Sequence, residues 1–215
     1  MPKIVNVPKV ALAALCLLLG QLLAGGEARA APARVLMFGD SLTAGFGLPV
    51  TDSLPSQLEA VLKGQGLDVT ILNGGVSGDT TAGGLARVEW ALADNPTYAL
   101  VALGANDALR GLDTSKAFEN LDAIIAKLKA KGVKVMILGM LAPPNLGREY
   151  GERFAAIFPK LAEKYRVPLY PFLLDGVAAD PKLNQRDGIH PNADGVRVIV
   201  GRLAPLVKQL LETPG

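Results

Sequence analysis

The sequence predicts a single α/β domain built on a central five-stranded parallel sheet with helices on both faces. Three observations carry this expectation. Short β-rich apolar runs alternate with helical patterns along the chain of 215 residues. Each run is continuously apolar rather than alternating, as in parallel strands buried on both faces. Polar residues and glycines collect just after the runs, where open parallel sheets bind their ligands.

Residues 1–30 read as a cleaved signal peptide. Lys3 and Lys9 form a basic n-region, residues 10–23 (VALAALCLLLGQLL) an apolar h-region, and Ala28-Arg29-Ala30 an A-x-A cleavage site. The domain then covers residues 31–215. An uncleaved anchor helix is the alternative reading. The run is shorter than the roughly 20 apolar residues that span a bilayer, and Gln21 interrupts it. A lipidated Cys16 is disfavoured by the bulky Leu15 before it. Removing Lys3, Lys9, Arg29 and Glu27 takes the net charge of +2 to neutrality, without the basic surplus a nucleic-acid partner requires. Cys16, the single cysteine, leaves with the leader, which excludes disulfides, cysteine catalysis and thiolate metal sites.

Strands are expected at residues 34–38, 69–72, 98–103, 134–138 and 168–170. Helices are expected at 53–63, where Ser53 would cap and Pro55 lies in the first turn, and then at 82–93, 115–131, 149–165 and 193–211.

The residues just past each strand are informative. Gly39-Asp40-Ser41 comes after the first, Asn73 to Thr80 (NGGVSGDT) after the second, Gly104-Ala105-Asn106-Asp107 after the third, and Gly139 to Asn145 (GMLAPPN) after the fourth. Asp187-Gly188-Ile189-His190-Pro191 precedes the last helix. His190 is the only histidine, three residues after Asp187. That spacing lets a carboxylate hold one ring nitrogen while the other faces a substrate. A serine hydroxyl is unreactive without an imidazole to take its proton, so if Ser41 is a nucleophile its base is His190. Gly78 and Asn106 fit as donors to a developing oxyanion. Taken singly, each has a plainer reading, Gly78 as a helix-entry glycine and Asn106 as part of a turn-forming Asn-Asp pair. There is no G-x-S-x-G elbow, no G-x-x-x-x-G-K-[ST] and no G-x-G-x-x-G opening a helix, so the α/β-hydrolase and nucleotide-binding readings lack support. No metal site is expected, because no Asp/Glu cluster supplies oxygen ligands.

Together these blocks resemble the SGNH (GDSL) hydrolase family, within it the bacterial periplasmic multifunctional thioesterase, lysophospholipase and arylesterase branch. The matching residues are Gly39-Asp40-Ser41-Leu42, Ser77-Gly78-Asp79-Thr80, Gly104-Ala105-Asn106-Asp107 and Asp187-Gly188-Ile189-His190-Pro191. The resemblance implies a flavodoxin-like three-layer α/β/α sandwich. It implies Ser41 as nucleophile, His190 as base, Asp187 as the orienting acid, and an oxyanion hole of Ser41, Gly78 and Asn106. It gives Asp40 a structural place in the nucleophile turn. It makes residues 108–113 a mobile loop beside an acyl pocket and residues 143–148 a second rim, with Leu109, Leu112, Pro143 and Asn145 as substrate contacts.

The implied activity is a periplasmic or secreted serine esterase acting on acyl esters and thioesters, including aryl esters and lysophospholipids. It uses no cofactor, no nucleic-acid partner and no stable membrane anchor, and a monomer is expected. A carbohydrate O-deacetylase on the same scaffold and a non-catalytic lipid-binding protein are the alternatives.

Overall fold

The computed structural model describes Met1 and residues 32–213. The signal-peptide reading therefore lies outside the described residues. In chain order the elements are β1 (Ala33–Gly39), a single helical turn α1 (Ser41–Ala44), α2 (Leu54–Gly64), β2 (Val69–Gly75), α3 (Thr81–Ala91), β3 (Tyr98–Ala102) and α4 (Ala105–Leu109). Then come α5 (Thr114–Ala130), β4 (Lys134–Leu138), α6 (Arg148–Ala155), α7 (Ile157–Tyr165), β5 (Leu169–Tyr170) and α8 (Ala193–Glu212).

All five strands are parallel, in the order β2-β1-β3-β4-β5. This is the flavodoxin-like order, whose direction of winding switches between β1 and β3. Helix α2 packs against α8, while α3 packs against α5 and α5 against α7. The three layers share one core. Val35, Leu36, Met37 and Phe38 of β1 are each at most 2% exposed, as a central strand covered on both faces requires. That burial is why the strand reads as an unbroken apolar run.

Register positions the site. Gly39 lies level with Gly75 of β2 and Ala102 of β3, so the chain leaves all three strands at one edge. Close packing is what requires glycine at position 39: a Cβ there would sit 2.1 Å from Thr43 Oγ1 and 2.8 Å from the Ala102 carbonyl oxygen. Strand β2 runs three residues beyond its expected end, through Asn73-Gly74-Gly75. A Cβ on Gly75 would lie 2.2 Å from the Ala44 nitrogen, so this glycine lets the α1 backbone rest directly on β2.

Three further boundaries differ from expectation. The stretch 149–165 is two helices, because Pro159 has no N–H to give to the carbonyl four residues earlier; it falls in the first turn of α7, where none is needed. Ser53 occupies the N-cap position of α2 but does not cap it. Its hydroxyl donates to the Val50 carbonyl at 2.7 Å and pairs with Ser56 at 3.0 Å. Helix α3 ends at Ala91 and passes into a 3₁₀ turn, Leu92–Asp94.

Candidate active site

Asp40 is the N-cap of α1. Its Oδ1 accepts the Leu42 N–H at 3.0 Å, which leaves Ser41 as the first residue of the turn, where a backbone N–H has no intrahelical acceptor. Asp40 is fully buried, and burial pushes its carboxyl up to about 6, against the lowering influence of the Leu42 N–H and of His190.

His190 arrives from the loop before α8, 149 residues along the chain from Ser41. Its Nε2 lies 2.9 Å from Ser41 Oγ, and its Nδ1 lies 2.7 Å from Asp187 Oδ2. The other Asp187 oxygen accepts the backbone N–H groups of Ile189 and His190, each at 3.0 Å. The ring hydrogen bond first, and these backbone bonds next, hold the Asp187 carboxyl down to about 2. A carboxylate ionised over the whole working range fixes the proton of the neutral imidazole on Nδ1, leaving Nε2 as an acceptor toward Ser41.

Asn106 is the second residue of α4, just past the end of β3. Its amide donates to the Asp79 carbonyl at 2.9 Å and makes a long contact of 3.5 Å with Asp40 Oδ2. The shorter bond fixes the amide plane, and the weakly held second N–H is the one a ligand oxygen can take. Its neighbour Asp107 is 3% exposed and turns inward, accepting the Thr81 N–H at 2.8 Å and the Thr81 hydroxyl at 2.6 Å. Gly78 has φ +83°, and a Cβ there would meet only Arg110 Nη2 at 3.8 Å, so the requirement is conformational rather than spatial. The Gly78 carbonyl accepts from Arg110 at 2.9 Å.

Ser41, Asn106 and His190 open together into a cleft of about 340 Å³, also lined by Leu109, Met140, Leu141, Pro143, Phe172, Leu174 and Ile189. Of the four residues expected to contact substrate, Leu109 and Pro143 are in this lining. Leu112 and Asn145 do not line the cleft. The Leu112 segment is tied to α6 by the Tyr150 hydroxyl, which donates to the Leu112 carbonyl at 2.8 Å, and Asn145 is exposed on a 3₁₀ turn, Pro144–Leu146. Gly78 is exposed and is not among the lining residues of the cleft; it precedes Asp79, whose carbonyl holds Asn106.

Two contributions carry no sequence motif. Phe172, Leu174, Ala178 and Ala179, which come after β5, line the cleft. Their only signal is position, since they too lie just past a strand. Arg87 of α3 pairs with Asp79 at 2.5 Å, donates to the Gly39 carbonyl at 2.8 Å and lies 4.2 Å from the centre of the Phe38 ring. It joins the first two strand-end loops. Among the described residues, no group of three or more His, Cys, Asp or Glu side chains is placed to hold a metal ion, and no helix is long and apolar enough to cross a membrane.

Residues 37–198 match the GDSL-like lipase/acylhydrolase family. The chain is 41% identical over 179 residues to a protein of Vibrio mimicus named arylesterase, covering 82% of this chain and 90% of that one. It is 36% identical over 183 residues to the Escherichia coli K12 protein named thioesterase 1/protease 1/lysophospholipase L1, covering 85% and 86% respectively. Among solved structures, the psychrotrophic esterase EstA of Pseudoalteromonas, inhibited by monoethylphosphonate, superposes with a TM-score of 0.80 at 30% identity, covering 84% of this chain and 99% of that one. The chain belongs to the GDSL-like lipase/acylhydrolase family, with the flavodoxin-like α/β fold of its relatives.

Proposed function

We propose that this member of the GDSL-like family is a serine esterase that hydrolyses acyl esters and thioesters through an acyl-enzyme on Ser41. The observation that carries the reading is the line of contacts from Ser41 Oγ to His190 Nε2 at 2.9 Å and from His190 Nδ1 to Asp187 at 2.7 Å, opening into a largely apolar cleft. His190 takes the Ser41 proton as Oγ attacks the carbonyl carbon. The imidazolium is stabilised by Asp187 and returns the proton to the departing alcohol or thiol. Water, deprotonated by His190, then releases the acid and regenerates Ser41. Negative charge on the carbonyl oxygen is met by the backbone N–H groups of Ser41 and Gly78 and by the Asn106 amide.

The cleft lies near the low end of the range of about 300–1,000 Å³ usual for ligand pockets, which favours short-to-medium acyl chains. Its apolar lining favours an acyl chain over a sugar ring. The relatives' names, arylesterase and thioesterase/lysophospholipase, support aryl esters, acyl thioesters and lysophospholipids as substrates. Residues 1–30 act as a cleaved export leader, and the domain from residue 31 works in the periplasm or outside the cell.

The test is release of p-nitrophenol from esters of two to sixteen carbons, with wild type beside Ser41→Ala. The variant should lose on the order of 10⁶ in kcat. A fluorophosphonate adduct should map to the peptide containing Ser41. Near-native turnover in the variant would remove the nucleophile assignment.

A further inference from the structure

We propose that Phe46 and Gln185 are positioning residues that hold the His190 imidazole against Ser41. The inference rests on the proposed esterase activity and extends it to two side chains outside the Ser41–His190–Asp187 line. Phe46 lies just past α1, half-exposed, and its ring packs over the His190 ring with centroids 4.6 Å apart at 35°. It is not among the residues lining the larger cleft but shares a smaller recess with Ser41 and His190, and its ring contact there is with the base.

Phe46 is also a link in a closed circuit. Its N–H donates to the Ser41 carbonyl at 3.1 Å. Its own carbonyl accepts from Gln185 Nε2 at 2.7 Å, and the same amide donates to the Pro191 carbonyl at 3.0 Å. The Gln185 N–H donates to the His190 carbonyl at 2.7 Å. The circuit closes through His190 Nε2 and Ser41 Oγ. Every link but the last is independent of catalysis, and together they fix the separation of two loops that are remote in sequence. Gly47 completes the fit: a Cβ there would lie 2.2 Å from Gln185 Oε1, and its φ is +73°.

The aromatic face has a second effect. In the proposed reaction His190 gains positive charge as it takes the Ser41 proton, and a ring face within about 6 Å attracts that charge. The contribution therefore falls on the transition state more than on substrate binding, and it should be read in kcat.

The experiment uses Phe46→Leu, Phe46→Tyr and Gln185→Met, assayed on p-nitrophenyl acetate and on a medium-chain ester, together with proton NMR of the imidazole. The sequence has one histidine, so its ring signals are unambiguous. Phe46→Leu and Gln185→Met should lower kcat about tenfold on both esters with KM within about twofold, and Phe46→Tyr should restore the native rate. The His190 ring protons should be shielded in wild type and Phe46→Tyr and should lose that shielding in Phe46→Leu. Native kcat in Phe46→Leu would overturn the proposal. So would a raised KM at unchanged kcat, which would make Phe46 a substrate contact. If wild type itself hydrolyses no ester, the esterase assignment fails, and the ring shifts still decide whether the stack exists.

Discussion

Two carboxylates flank the Ser41–His190 pair, one on each side. Asp40 is next to Ser41 in sequence and fully buried; Asp187 stands on an exposed loop far along the chain and hydrogen-bonds the histidine ring. Burial pushes Asp40 up to about 6, whereas the His190 ring and two backbone N–H groups hold Asp187 down to about 2. The same functional group is thus a turn-former in one place and a permanent anion in the other. The difference is set by solvation and hydrogen-bond supply, not by proximity to Ser41.

The sharpest way to break this contrast is to neutralise the exposed member. Asp187→Asn should lower kcat on the order of 10⁴-fold, because the amide no longer dictates which ring nitrogen carries the proton. A steady-state loss below tenfold on p-nitrophenyl butyrate would reduce Asp187 to a loop residue. Asn106, which touches both the Asp79 carbonyl and Asp40, comes next. Asn106→Ala should cost about 10²–10³ in kcat with little change in KM. A tenfold rise in KM at native kcat would mark a ground-state contact instead.

Asp40→Asn tests the buried member and should have a smaller effect, within about tenfold in kcat, because Asn still offers an oxygen to the Leu42 N–H.

Stability should separate the two carboxylates by sign. Asp40 binds its proton more tightly in the folded state, so its contribution is fully present below its ordinary value of 3.8 and is lost as pH rises through about 6. Asp187 is the reverse: its contribution is present above 3.8 and is lost as pH falls through about 2. Urea midpoints followed from pH 3 to 7 should show a flatter pH 4–6 region in Asp40→Asn and leave that region unchanged in Asp187→Asn.

The smallest expected effect separates two leucines. Each methylene buried by Leu109 is worth about 0.8 kcal/mol, or roughly fourfold in kcat/KM per carbon. Leu109→Ala should flatten the rise with acyl length and spare acetyl esters, whereas Leu112→Ala should leave the profile unchanged. Parallel losses in both variants across the ester panel would put Leu109 in the core instead of the cleft.

The strands were legible because burial on both faces leaves no room for polar residues inside β1, β3 or β4, whose charged members, Arg34 and Lys134, stand near the strand starts. The end of β2 was hidden because Asn73-Gly74-Gly75 reads as a turn, although those glycines serve close packing against β1 and α1. The Ser41, Asn106 and Asp187–His190 segments stood out because polar groups at strand ends have few other reasons to gather. The cleft wall after β5 did not, since Phe172 and Leu174 look like any core residues until the fold places them in the same cleft as Ser41. Leu112 and Asn145 share composition with true lining residues, and only the tie from Tyr150 and the 3₁₀ turn reveal that they lie outside it. The Phe46 ring on His190 and the Gln185 amide on the Phe46 and Pro191 carbonyls are contacts that no sequence pattern announces.

The distance along the chain between Ser41 and His190 has a consequence for biosynthesis. Ribosomes extend a chain at about 5–20 residues per second, and long-range contacts wait for their later partner. The serine and its turn are made early, but the imidazole proposed to activate it comes just before the final helix, which packs on α2. The nascent polypeptide therefore carries a dormant hydroxyl through nearly all of its synthesis. On the proposed roles, any fragment that stops short of residue 190 lacks its base, and esterase activity is acquired in one late step, when assembly is almost complete.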